Sequence, residues 1–223
     1  MNKKIIGFFV CMLLITTCVI PVYGIEIQNN VNKSSTVEIP DSYIIENVPY
    51  VNQGNTMYCG MATPTMAFQY YGINASLLEV VFNSGFGYSV GYKIKLPCFF
   101  ISDYYLGYQY AERQLLAEIY GLKYSHSDYY DTSISDDILW QRYLTSAKEN
   151  ISQDIPVITL VRMDQLPYHE VNPRLMHYIL LVGYNETNNT VCFHDSIATV
   201  WNTSMSSGTY IYIPIDCLKN GYQ

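Results

Sequence analysis

The chain has 223 residues, with 19 acidic and 12 basic side chains and a formal net charge of −7. That length suffices for one domain with a sizeable core. The acidic balance argues against nucleic acid as a partner, because lysine and arginine must neutralise phosphates there.

Residues 1–24 read as a secretion signal: Lys3 and Lys4 lead, Ile5 to Val22 are apolar, and Val22-Tyr23-Gly24 offers small residues for cleavage. Left uncleaved, residues 5–22 would serve as a membrane anchor, and they are the only part of the chain expected to meet a membrane. Cleavage removes two lysines and no acids, leaving a net −9 and four cysteines, Cys59, Cys98, Cys192 and Cys217. An exported chain permits one disulfide among the last three, with the pairing open. Residues 25–42 are polar and form a spacer. The folded domain is expected over 43–223.

The stretch VPYVNQGNTMYCGMATPTMAFQYYG, 48–72, carries the most chemistry. Gln53 stands six residues before Cys59, and Cys59 opens an apolar, helix-like run to Tyr71, with Gly72 as its stop. A thiolate needs a positive environment and a nearby donor for the oxyanion that it creates. A helix N-terminus behind a glutamine loop offers both. A start near Gly60 leaves Pro64 at the margin of what the first turn tolerates.

Leu77 to Phe82 is expected as a short helix, 83–92 as a glycine-punctuated loop, and Ala111 to Tyr120 as a helix. Leu122 to His126 suggests a strand. Ser135 is a fitting N-cap, with Asp136 and Asp137 at the positive end of a helix running to about Asn150. Four strands follow: 156–163, 176–184, 190–196 and 208–215. Helices first and an antiparallel sheet afterwards make an α+β fold.

Of the four histidines, His126 has no obvious acid partner and His169 lies in the loop LPYHEVNP. His177 begins the apolar strand HYILLVGY, and His194 neighbours Asp195. A hairpin turning at 185–189 sets His177 opposite Asp195 if paired residue numbers sum to 372. Opposed side chains on one face lie ~5 Å apart, so Asp195 would hold the imidazole, and His194 would face away. Gln53, Cys59, His177 and Asp195 are thus oxyanion donor, nucleophile, base and orienter. A metal site from His177, His194 and Asp195 conflicts with that alternation, and no metal or cofactor is expected.

With these residues the chain resembles the papain-like cysteine peptidase superfamily. Within it, the chain is most similar to the bacteriocin-processing peptidase family, cysteine peptidase family 39, and its secreted relatives. The likeness rests on VPY-x-x-Q…CG…YYG in 48–72, the strands at 156–161 and 177–184, and the acid at Asp195. Met61 stands where that family often has proline. The resemblance implies a papain-like fold, its Cys-bearing helix packed on a C-terminal antiparallel sheet. It implies a secreted thiol hydrolase acting on peptide or cell-wall peptide through Cys59, His177 and Asp195. The segments 77–92 and 161–168 also resemble the butirosin-biosynthesis H-type acyltransferase, which uses the same Cys and His. A third reading is a non-catalytic module that binds peptide or cell-wall polymer in the same cleft. Tyr50, Tyr58, Tyr168 and Tyr178 are candidates to line it, with Tyr178 better suited to the core.

Overall fold

The computed structural model describes residues 38–84, 116–123, 135–170, 175–200 and 204–221, all within a unit spanning Val37–Gln223. The leader, most of the spacer, all but the start of the glycine loop, Cys98 and His126 lie outside the described residues, as does most of the expected strand at 122–126. The chain order is β1 (Ser42–Ile44), α1 (Cys59–Tyr70), α2 (Leu77–Asn83), α3 (Asp136–Ile151), β2 (Val157–Arg162), β3 (Met176–Asn185), β4 (Thr190–His194), β5 (Ile211–Pro214) and α4 (Ile215–Gly221). Residues 116–119 are helical as well. The fold is α+β, with helices before an antiparallel sheet. Two elements were not expected: β1, on the margin of the polar spacer, and the closing helix α4.

β3 is the spine of the sheet. It is buried from His177 to Tyr184, as a run apolar on both faces must be. β4 pairs along one side of it and β5 pairs with β4. On its other side β2 covers residues 176–181 and β1 covers 183–185. On the β2 side His177 is opposite Val161, and on the β4 side the register does not bring Asp195 directly opposite it.

The hairpin register corrects the expected one. Near the turn, Asn185 pairs with Thr190 and Gly183 with Cys192, so paired numbers sum to 375; past Val182, Leu181 pairs with Phe193 and Leu180 with His194, summing to 374. Val182 is the extra residue of a β-bulge. Its carbonyl is not lost, because it accepts from the N–H of Ile45 at 2.7 Å. The ladder ends at His194, and Asp195 lies one residue beyond it.

The bulge decides which face Asp195 occupies. Continued at 375, the register would set Asp195 opposite Leu180, on the face away from His177. At 374 it lies opposite Ile179, diagonal to His177 on the same face. The expected facing was right because a slip of two residues preserves alternation. Gly183 makes the crowded junction possible: a Cβ there would sit 2.9 Å from the Tyr43 carbonyl oxygen and 3.2 Å from the Cys192 Cβ.

α1 joins two apolar clusters. Met66 and Ala67 pack into the sheet core with Trp140, Ile179 and Leu180. Met61 and Phe68 pack with Ala75, Val80, Val81 and Leu116 on the helical side. The helix is accordingly buried at every residue from Met61 to Phe68, all round and not along one stripe. It starts at Cys59, which puts Pro64 inside it. Pro64 cannot donate to Gly60, but nearby hydroxyls back-bond the helix: Thr63 Oγ1 donates to the Cys59 carbonyl and Thr65 Oγ1 to that of Met61, both at 2.7 Å. α2 begins with a complete capping box between Ser76 and Glu79.

Candidate active site

Cys59 is the first residue of α1, and its helix end carries neither a side-chain cap nor an acidic residue in the first turn. The Met61 and Ala62 N–H groups fold back onto the Tyr58 carbonyl at 2.9 and 2.8 Å. The N–H groups of Cys59 and Gly60 are left without helical partners, at the positive end of the helix dipole. Burial pushes the Cys59 thiol up, but a hydrogen bond to the His177 ring, the charge of that ring, and the N–H groups of Tyr178 and Gly60 outweigh it. The net shift is downward. The thiolate is the form that attacks carbonyl carbon, and acidification of the thiol favours it.

His177 Nε2 donates to Asp195 Oδ1 at 2.7 Å, so Nδ1 is the ring nitrogen that the thiol meets. His177 is only 2% exposed and Asp195 is fully buried. Burial alone would discharge the imidazole. The carboxylate beside it reverses this and, with Cys59, raises its pKa to about 10. Burial likewise opposes ionisation of Asp195, yet the His177 charge and the hydrogen bonds from His169, His177 and Ile197 hold its carboxyl far below the usual range. Each charge is stable because the other is there.

Asp195 is held from every side. Its backbone N–H donates to Gly208 O at 2.8 Å, and its carbonyl accepts from Tyr50 Oη at 3.1 Å. Oδ1 also accepts from the Ile197 N–H at 2.9 Å. Oδ2 accepts from Tyr168 Oη at 2.8 Å and from His169 Nε2 at 3.0 Å. A glycine is needed at 208, since a Cβ there would lie 2.2 Å from the Asp195 carbonyl oxygen.

Gln53 is tied to the residue after Asp195. Its backbone N–H donates to the Ser196 carbonyl at 3.0 Å, and its side-chain Oε1 accepts from Ser196 Oγ at 2.6 Å. Nε2 donates to the Thr56 carbonyl at 2.6 Å. A carboxamide nitrogen carries two N–H groups, so one remains for a carbonyl oxygen in the cleft. Gln53 is 4% exposed and Ser196 is fully buried.

His194 faces away from this group. It lies against Tyr210 and Tyr50, with ring centroids 4.6 and 6.2 Å away, and neither ring nitrogen makes a hydrogen bond among the described residues. Burial pushes its pKa down to about 4, and the nearby Pro49 carbonyl, outside hydrogen-bonding geometry, offsets this only in part. Tyr178 is buried, as expected, and its ring packs against Gly60. Two contributors were missed from the sequence, His169 and Ser196, while Tyr168, a candidate to line the cleft, bonds the buried carboxylate instead. His169 looked like an ordinary loop histidine. Its one available signal was the pairing Tyr168-His169, two hydrogen-bond donors side by side in the turn. Cys192 and Cys217 both carry free thiols, and burial lifts that of Cys192 to about 11.

A helix-borne thiol, a strand-borne imidazole and a buried carboxylate beyond the next strand define a cysteine-peptidase-like domain. The chain belongs to the Peptidase_C39 like family, whose model matches residues 45–215. No curated protein matches it. Among solved structures it is similar to a candidate C39-like peptidase from Bacillus anthracis, at 15% identity and a TM-score of 0.43, over 81% of this chain and 92% of that one.

Proposed function

We propose that this domain is an exported thiol peptidase that cleaves a peptide or amide bond through Cys59, His177 and Asp195. The observation that carries the reading is the unbroken polar chain from the Cys59 thiol through the His177 ring to Asp195. A binding module has no use for a buried ion pair that acidifies a thiol at a helix N-terminus. In the resting site the proton of Cys59 sits on His177 Nδ1. The thiolate attacks the substrate carbonyl carbon, a C–S bond forms, and the carbonyl π pair moves onto oxygen. The free N–H of Gln53 and the backbone N–H of Cys59 are the donors for that oxyanion, each contributing about 3 kcal/mol to the transition state. The tetrahedral adduct collapses, the C–N bond breaks, and His177 protonates the departing amine. Water, deprotonated by His177, then releases the acid and restores the thiol.

The apolar leader suits an extracytoplasmic peptide or cell-wall peptide substrate; among the described residues no helix is long and apolar enough to cross a membrane. Acyl transfer is a second reading, favoured by one observation. The Leu166-Pro167-Tyr168 segment, which resembles part of the H-type acyltransferase, reaches the site through Tyr168 Oη on Asp195. The two readings share the attack by Cys59 and the acyl-enzyme; peptide cleavage expels an amine and is resolved by water, whereas acyl transfer expels the thiol of a thioester donor and is resolved by an amine.

The secreted form is to be profiled on a peptide library and a cell-wall digest beside Cys59→Ala, with iodoacetamide labelling near neutral pH. The expected outcome is hydrolysis and a labelled Cys59 peptide in the wild type, and neither in the variant. Undiminished hydrolysis by Cys59→Ala would remove the thiol from the chemistry.

A further inference from the structure

Two histidines share one buried carboxylate. His177 Nε2 takes Oδ1 of Asp195 and His169 Nε2 takes Oδ2. The His169 side chain is fully buried, and its Nδ1 meets no hydrogen-bond partner among the described residues. The two rings lie 6.2 Å apart between centroids, edge to face. Among the described residues, the titratable groups facing His169 are Asp195, Tyr168 and His177, with Cys59 reached through His177.

A carboxylate only accepts, so both Nε2 atoms must carry hydrogen. The remaining question is which ring takes the additional proton. On His177, the second N–H would point to the Cys59 thiolate. On His169, it would point from a buried Nδ1 that meets no acceptor among the described residues, which is the costly way to bury an N–H. Two cations so close on one carboxylate would also repel. The proton therefore belongs on His177, and His169 is the neutral donor.

We propose that His169 is a positioning residue of this site, a neutral Nε2–H donor that occupies the outer oxygen of Asp195 and keeps the mobile proton on His177 transferable. The proposal rests on the triad reading above. Its effect on His177 follows from charge sharing. A donor on Oδ2 draws off part of the carboxylate charge, so Oδ1 grips the imidazolium less tightly and the ring can give its proton to a leaving group. Tyr168 Oη draws on the same oxygen. Oδ1 stays aimed at His177 because the Ile197 N–H holds it too.

The test compares His169→Gln, whose amide reaches as far as Nε2 and stays neutral, with His169→Phe, which fills the space and donates nothing. The readouts are ring 15N shifts of the labelled histidines and the pH profile of Cys59 alkylation by iodoacetamide, neither of which needs a known substrate. In the wild type His169 should appear as the neutral Nε2–H tautomer at pH 7, beside a cationic His177. His169→Phe should move the alkaline titration of His177 upward by roughly half a pH unit or more, and His169→Gln should leave it in place. A cationic His169 at pH 7, or a titration of His177 identical in both variants, overturns the proposal. Should His169→Phe fail to fold, the wild-type tautomer and the His169→Gln titration decide. Loss of the triad reading would show separately, as hydrolysis surviving Cys59→Ala with the His169 tautomer unaltered.

Discussion

A carboxamide is nearly symmetric in shape and opposite in polarity at its two ends, so an oxyanion donor works only if something fixes which end faces the substrate. In this site the Thr56 carbonyl can only accept and therefore selects the nitrogen of Gln53, which leaves the Gln53 oxygen for the Ser196 hydroxyl. Ser196→Ala would strand that oxygen in a buried setting and leave the amide held by Thr56 alone. The expected result, on a peptide selected by profiling, is about a tenfold fall in kcat with KM little changed. Gln53→Ala alone should cost about a hundredfold or more. Since Ser196 acts through Gln53, the double variant should be no slower than Gln53→Ala; additive losses would separate the two residues. The pH profile follows from the neighbouring pair. Activity should rise as the acidified Cys59 thiol ionises and fall as His177 loses its proton near 10. Asp195→Asn removes the charge that raises His177 and should draw the alkaline limb down by more than one pH unit.

Elements differ in how openly their residues announce them. α1 was legible as an apolar run ended by glycine, α3 by its Ser135 start and two aspartates, and β3 by a stretch with no polar face. Each of those signals is local. The register of the β3–β4 hairpin was not legible, because a bulge depends on what crowds the strand from outside. Val182 bulges where β1 arrives to claim its carbonyl, and nothing within the hairpin residues records β1. The contact between His177 and Asp195 could still be anticipated, because alternation depends on parity and not on the exact partner. α4 went unread because its seven residues directly follow an apolar strand, and Ile215 was counted with that strand. The junction makes a stability prediction. Gly183→Ala places a methyl against the Tyr43 carbonyl and the Cys192 side chain, both fixed by pairing. It should cost about 1–3 kcal/mol in urea unfolding. An unchanged midpoint would mean that β1 yields without loss.

At the scale of the molecule, the same sheet buries one histidine as a cation and another as a neutral ring, and the two oppose each other as pH changes. His177 is raised to about 10 from the 6.5 of an unfolded chain. Its contribution to stability is complete below pH 6.5 and is lost as pH climbs through 10. His194 is lowered to about 4. Above pH 6.5 it is neutral in both states and contributes nothing. Between 6.5 and 4 the unfolded chain binds a proton that the folded one refuses, so stability drops as pH falls. The shift corresponds to about 3 kcal/mol lost by pH 4. Asp195, already held far below the usual carboxylate range, keeps its ion pair through that interval and so does not mask the effect. His194→Phe preserves an aromatic ring against Tyr210 and removes the titration. Urea midpoints at pH 7 and pH 4.5 should therefore diverge for the wild type by about 2–3 kcal/mol more than for the variant. Equal losses in the two proteins would assign the acid sensitivity to other groups and show that the His194 ring takes up its proton without cost.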